Sequence, residues 1–345
     1  MAPSSDSPIF IVGCPRSGTS LLRDLLRSHP RLTFPEESHF IPALYRAYGD
    51  PKNEREARAL AARILAAGWV KAWGLTLDPS AFAGDRSFAR MVSRIYEAWA
   101  ERQQKPRWGD KTPRYVLEIP LLLKLFPGAK ILHIVRDGRD VALSWLRYGI
   151  GPRNLYTAAR MWSDMVRAGR RAGAALGAER YLEVRYEALL ADPAAVMRRV
   201  CAFIDEPFTE AVLRPNTSAG EGAADPGKLR YFFIGKPRGR RPRQQEIVAA
   251  YAGKWKQAMT PAQRILFESA AGDLLRELGY ETEGRVRRIT SAERRMWKAH
   301  HRLSWILFRL NRKDYYREVM EALAKHGAIL ARRLRAKAEK VSKSN

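Results

Sequence analysis

The chain has 345 residues and an apolar fraction of 46%, enough for one large α/β domain with an appendage or for two modest domains. Its two cysteines, Cys14 and Cys201, exclude a disulfide framework or a cysteine metal cluster, and so few point to a reducing, cytoplasmic setting. The formal charge of +26 favours anionic partners: a polyphosphorylated ligand, nucleic acid or an anionic membrane surface. That charge is unevenly spread, because residues 285–345 hold 18 Lys/Arg against 5 Asp/Glu, a net of +13. Half the excess therefore sits in the last sixth of the chain, which implies an anion site in the body and a separate basic tail. The first residues are small and polar, and no apolar run reaches the length of a membrane span, so a soluble protein is expected.

Ile9-Phe10-Ile11-Val12, ended by Gly13, reads as a buried parallel strand. Leu21, Leu22, Leu25 and Leu26 then recur at helical spacing over Thr19–Ser28, and Pro30 stops the helix. Leu32–Phe34 is a candidate second strand, with helices following near Glu54–Ala67 and Ser87–Gln103. Tyr115–Phe126 reads as one helix around Pro120, closed by Pro127-Gly128. Ile131–Val135 is the clearest central strand, with a helix from about Asp140, and Arg180–Val184 is a further strand. Pro193–Ile204 and Pro261–Leu278 read as helices, while Asn216–Arg243, rich in Gly, Pro, Lys and Arg, reads as a loop. Strand–helix alternation predicts an α/β fold with a parallel sheet covered on both faces. After Gly284 the character changes to basic helices, so the expected organisation is a domain over 1–284 and a basic helical extension over 285–345.

Gly13-Cys14-Pro15-Arg16-Ser17-Gly18-Thr19-Ser20 lies between a strand and a helix, with its glycines at P-loop spacing. Such a turn gathers backbone N–H groups at a helix N-terminus, where the dipole also favours an anion. The hydroxyls of Ser17, Thr19 and Ser20 add donors. Thr19 stands where a nucleotide triphosphatase has its lysine, so the usual grip on β- and γ-phosphates is absent and Arg16 supplies a cation from another position. This disfavours a kinase or NTPase.

Val135-Arg136-Asp137-Gly138-Arg139-Asp140 follows a strand at the end where open α/β sheets bind ligands. Arg136 is placed to reach the crevice, and Ser144 lies about two helical turns along. On its own, Asp137 could be a Walker-B-type metal ligand, and Arg136–Asp137 a structural ion pair.

Taken together, Pro15-Arg16-Ser17-Gly18-Thr19 and Arg136-Asp137-Gly138-Arg139-Asp140 with Ser144 resemble the 5′-phosphosulfate and 3′-phosphate motifs of the sulfotransferase family. The pattern is similar to a bacterial branch related to tyrosylprotein sulfotransferases. His29-Pro30, Glu36-Glu37, Asp110-Lys111-Thr112-Pro113, Leu125-Phe126-Pro127 and Lys254-Trp255 extend it, from about Pro8 to Tyr280. The resemblance implies a P-loop-like three-layer fold and a 3′-phosphoadenosine 5′-phosphosulfate co-substrate. It implies that Arg16, Ser17, Gly18, Thr19 and Ser20 hold the 5′-phosphosulfate and that Arg136 and Ser144 hold the 3′-phosphate. It places Glu37 at the catalytic base, Lys111 at the sulfate-stabilising lysine, and Tyr186 and Lys254 at weaker nucleotide contacts. The eukaryotic relatives carry a membrane anchor and lumenal disulfides, neither of which is expected here, and residues 285–345 match nothing in the pattern. Tyrosine-peptide specificity therefore does not transfer, and the acceptor class stays open.

Sulfuryl transfer resembles phosphoryl transfer, an in-line displacement driven by positioning and electrostatics. Lys111 and Arg16 can neutralise charge on the sulfuryl and leaving oxygens, and the six scattered histidines give no metal-ligand spacing, so no metal is expected. A carboxylate or histidine must take the acceptor proton; Glu37 is the first choice, with Glu36 and His39 adjacent. The basic cluster Lys228–Arg243, interleaved with Tyr231, Phe232 and Phe233, reads as a lid, an acceptor clamp or a solvated loop, the lid being favoured. Trp297, Leu303, Trp305, Ile306, Leu307, Phe308 and Leu310 among Arg and Lys suit a helix packed on the domain or an interfacial helix on an anionic bilayer, the packed helix being favoured. No nucleic-acid reader motif accompanies the charge, so no nucleic-acid partner is expected.

Overall fold

The computed structural model describes residues 7–148, 151–216 and 251–310. Among these residues five parallel strands form one sheet: β1 (Ile9–Gly13), β2 (Leu32–Thr33), β3 (Arg107–Lys111), β4 (Lys130–Val135) and β5 (Tyr181–Arg185). Their order is β2-β3-β1-β4-β5, so β1 lies in the middle and β4 beside it. Phe10 pairs in register with Asp110 on one side and Ile131 on the other. The chain leaves β1 for one edge and later crosses it to reach β4, which makes the carboxyl end of β1 the topological switch point where such sheets open a crevice.

Alternation along β1 divides the core. Phe10 and Val12 join a cluster with Trp99, Trp108, Trp145 and Trp162, while Ile9 and Ile11 face a second cluster built from Leu22, Leu25 and Leu26. Helices cover both faces, giving the three-layer arrangement expected of a P-loop-like α/β fold. On the second face lie α1 (Thr19–Arg27) and the helix Pro193–Phe203. On the first lie the helices Phe88–Arg102 and Leu155–Leu176, with the helix Pro261–Glu277 packed on the latter.

Several elements differ from the sequence expectation. Tyr115–Phe126 is not one helix: a 3-10 turn, Pro113–Leu117, ends at Glu118 and a separate helix, Ile119–Leu125, starts with Pro120 in its first turn. Proline fits there because it has no N–H to lose. The helix after β4 starts at Gly138 and runs to Tyr148. The sequence reading passed over β3 and the helices Leu155–Leu176 and Ile41–Tyr48.

By internal contacts the protein divides into Met1–Arg287 and Arg288–Asn345. The described part of the second unit is the helix Ser291–Leu310, preceded by Thr290, whose Oγ1 accepts from the Glu293 N–H at 3.2 Å. Among the described residues no helix is long and apolar enough to cross a membrane. The basic cluster Lys228–Arg243 and residues 311–345 lie outside the described residues.

Candidate active site

The loop between β1 and α1 holds its shape through backbone that ordinary residues avoid. Arg16 has φ +79° and Gly18 φ +101°, and the Ser17 N–H returns to the Cys14 carbonyl at 3.1 Å. Ser17 and Thr19 are buried while Arg16 is exposed. Ser17 Oγ has no hydrogen-bond partner among the described residues, an unmet donor within an anion cradle. A Cβ on Gly18 would lie 2.3 Å from the Tyr186 ring, which is itself buried. Gly18→Ala is therefore expected to cost about 1–3 kcal/mol from the left-handed backbone alone, with further loss from displacing Tyr186. Thermal melts would show a lower Tm, and nucleotide calorimetry a weaker complex; an unchanged melt would contradict this packing.

Lys111 is the last residue of β3, adjacent to β1, so its side chain meets the start of α1. It is 2% exposed, and its Nζ donates to Glu37 Oε1 at 2.5 Å and lies 3.5 Å from Ser20 Oγ. Glu37 Oε2 is 2.7 Å from His39 Nε2. The His39 ring packs on Trp69 with centroids 4.4 Å apart, and its φ of +53° is unusual for a side-chain-bearing residue. Burial alone would raise the Glu37 carboxyl, but the Lys111 charge and the His39 contact outweigh it and hold the pKa at about 2. Burial also pulls Lys111 below the ordinary lysine range, against the attraction of Glu37.

Glu36 is turned elsewhere. Its carboxylate pairs with Arg23 at 3.0 Å and Arg27 at 3.9 Å, both on α1. The adjacent glutamates thus have different partners: Glu36 ties the β2 exit to α1, and Glu37 faces the lysine. A network that the sequence reading missed keeps them so. The Ser38 N–H donates to Thr112 Oγ1 at 3.1 Å, Ser38 Oγ lies 2.8 Å from Tyr115 Oη, and Tyr115 Oη accepts from the Ile41 N–H at 3.1 Å. These bonds clamp the residue after Glu37 to the residue after Lys111. Beneath them Tyr96 Oη donates to Asp110 Oδ2 at 2.5 Å, and burial raises the Asp110 carboxyl.

The segment Arg136–Asp140 and Ser144 meet the same loop. Arg16 Nε donates to Ser144 Oγ at 2.9 Å, and Arg136 Nη1 to the Arg16 carbonyl at 3.3 Å. The Arg136 guanidinium stands 4.4 Å from the Tyr186 ring centroid, so one aromatic ring supports both Gly18 and Arg136. Arg136 Nη2 donates to the Tyr251 carbonyl at 2.6 Å and to Asp140 Oδ2 at 3.3 Å, while its buried Nε has no partner among the described residues. Asp140 in turn accepts from the N–H groups of Gly253 and Trp255, each at 2.9 Å. That fixes the backbone around Lys254, whose Nζ lies 4.0 Å from the Tyr251 ring centroid. Asp137 pairs with Arg139 at 2.8 Å, not with Arg136, and Arg139 also pairs with Glu268 at 3.0 Å. The sequence motif therefore serves two ends, Arg136 facing the loop and Arg139 buried in the core.

The structure thus gathers Arg16, Ser17, Gly18, Thr19, Ser20, Glu37, Lys111, Arg136, Ser144 and Tyr186 around one strand-loop-helix turn, with Lys254 held alongside. Asp140, Ser38 and Thr112 were missed as site residues; Asp140 and Thr112 stand inside the motifs, and only the fold reveals what they bind. Among the described residues no group of three His, Cys, Asp or Glu is gathered that could hold a metal ion.

A parallel sheet with a glycine-bracketed strand-to-helix loop at its switch point and arginines beside it defines the class of P-loop-like α/β proteins. The sulfotransferase family model matches residues 8–210, and the chain belongs to that family. It is 28% identical over 219 residues to protein-tyrosine sulfotransferase A of Caenorhabditis elegans, covering 62% of this chain and 53% of that protein. It is 28% identical over 211 residues to the protein-tyrosine sulfotransferase of Drosophila melanogaster, covering 59% of this chain and 39% of that one. The chain therefore spans about half the length, or less, of these curated relatives. Among solved structures, the sulfotransferase domain of the Synechococcus PCC 7002 olefin synthase superposes with a TM-score of 0.55 at 25% identity, covering 81% of this chain and 98% of that one.

Proposed function

We propose that this protein transfers a sulfuryl group from 3′-phosphoadenosine 5′-phosphosulfate to an acceptor hydroxyl or amine, with Glu37 as general base. The observation that carries this reading is the Glu37–Lys111 contact at 2.5 Å, made at the mouth of an anion loop rather than in a structural pair elsewhere. The residues fit the nucleotide: Ser17 Oγ and Arg136 Nε are buried polar atoms without partners among the described residues, and Gly18 keeps the loop open beside Tyr186. The loop N–H groups, Ser17, Thr19 and Ser20 would hold the 5′-phosphosulfate, Arg136 and Ser144 the 3′-phosphate, and Tyr186 and Lys254 would add support.

When bound, the donor supplies an activated sulfuryl group whose bond to the phosphate oxygen breaks as the acceptor attacks. Glu37 takes the acceptor proton. Lys111 and Arg16 neutralise the charge that builds on the peripheral and leaving oxygens. His39 holds the second Glu37 oxygen, so the carboxylate presents a fixed edge, and the Ser38–Thr112 bond keeps base and lysine in register.

Two relatives are named for protein-tyrosine sulfation, and the acceptor of this protein is identified by the product it labels. Incubation with radiolabelled donor and cell extract tests the reading: labelled product is expected with the wild type and lost with Glu37→Gln. Donor binding without any labelled product would overturn it. Lys111→Ala is expected to lower turnover on the order of 10²–10³-fold, as loss of one transition-state donor does, with a smaller effect on donor affinity. Equal losses in both would recast Lys111 as a ground-state anchor.

A further inference from the structure

Nine large apolar side chains are markedly exposed among the described residues, and four of them, Met296, Leu303, Ile306 and Leu307, lie on the helix Ser291–Leu310. Their exposures are 52%, 58%, 53% and 56%, far from the near-zero values of the core leucines. At about 100° per residue, Met296, Leu303 and Leu307 fall within one narrow stripe with Ile306 beside it. Arg295 and Arg302 border that stripe on the Ile306 side and are also exposed. The helix carries five Lys/Arg and one Glu, within the segment 285–345 whose net charge is +13.

We propose that this helix lies in the plane of an anionic lipid surface, with Met296, Leu303, Ile306 and Leu307 entering the headgroup–acyl boundary and the flanking cations meeting lipid phosphates. The two features require each other only on such a surface. Duplex nucleic acid would satisfy the arginines but leave four apolar side chains in water. A second copy of this helix would cover the apolar stripe but bring two like-charged borders together. An anionic bilayer takes up both, since apolar burial and attraction to acidic headgroups add. No helix of the described residues is built to span, so the contact is peripheral. The placement is independent of the catalytic reading.

The test is co-sedimentation of the full chain with phosphatidylcholine vesicles, with and without phosphatidylglycerol. Binding is expected only to the anionic vesicles and should weaken as salt is raised. Leu303→Asp with Leu307→Asp should reduce partitioning by roughly tenfold or more per leucine. Arg295→Glu with Arg302→Glu should reduce it while leaving the apolar face intact. Because all four side chains are exposed, both variants should keep the wild-type melting temperature and nucleotide affinity, which serves as the folding control. Failure of the wild type to sediment with anionic vesicles would overturn the proposal. So would equal sedimentation of the leucine variant, a leucine-dependent dimer that does not bind vesicles, or retention on duplex DNA in place of vesicles.

Discussion

Glu37→Gln is expected to preserve donor binding and to lower turnover by roughly 10²–10⁴-fold, the usual contribution of a general base. Glutamine keeps the shape that touches Lys111 and His39 but cannot accept the acceptor proton. The effect should have a distinctive pH signature, because Glu37 faces Lys111 at 2.5 Å and its pKa is held at about 2. A carboxylate that acidic is ionised at neutral pH but is a weak base. Any anion that draws the lysine charge toward itself relieves that depression and strengthens the base. The acid limb of kcat/KM, which reports the free enzyme, should therefore lie well below the ordinary carboxylate range, and the limb of kcat above it. Lys111→Ala should raise the free-enzyme limb. Coincident limbs in wild type and Lys111→Ala would show that the pair does not set the base.

Stability follows the same linkage. The folded-state pKa lies below the usual carboxylate value of 4.5, so the contribution is present above that value and is lost as pH falls toward about 2. Wild-type Tm should drop through that window more steeply than Glu37→Gln, as acid thermal scans would show. Full activity in Glu37→Gln, with loss in Glu36→Gln or His39→Ala, would move the assignment. The structure makes Glu36 a poor rival, since Arg23 and Arg27 engage its carboxylate.

The second large effect is expected at Arg136. Hydrogen bonds to charged groups contribute about 1.5–3 kcal/mol each. Arg136 and Ser144 together should then favour the 3′-phosphorylated donor by roughly 3–6 kcal/mol, or about two to four decades in affinity over adenosine 5′-phosphosulfate. Ser144 Oγ accepts from Arg16 at 2.9 Å, which leaves its own proton to donate. Arg136 already leans on Tyr186 and is held by the Tyr251 carbonyl and Asp140, so little side-chain freedom remains to be lost on binding. Arg136→Ala should weaken the 3′-phosphorylated donor strongly and the unphosphorylated one hardly at all. Titrating both donors into both proteins closes a cycle whose coupling term isolates the contact. A coupling near zero would mean that Arg136 does not see the 3′-phosphate, and the nucleotide assignment would fall with it.

Local patterns carried much of the fold. Ile9–Val12 is a continuous apolar run and Ile131–Val135 is apolar except for His133, which announces strands buried on both faces, and the Gly13–Gly18 spacing announces the loop between β1 and α1. The strand β3 was invisible because Arg107-Trp108-Gly109-Asp110-Lys111 has neither β-branched residues nor alternation. Its charged ends are buried because partners far along the chain satisfy them: Glu206 for Arg107, Tyr96 for Asp110 and Glu37 for Lys111. Such pairing is a property of the assembled sheet, not of five neighbouring residues. The site divides in the same way. Residue types at short spacing were enough to point to Arg16–Ser20, Arg136 and Ser144, because an anion loop needs local glycines and hydroxyls. Which glutamate meets the lysine, what Asp140 holds and why Arg136 and Arg139 part company depended on segments 74 to 129 residues apart. Those choices arise only when parallel strands bring the ends of β1, β3 and β4 together and burial forces every charge among them to find a partner.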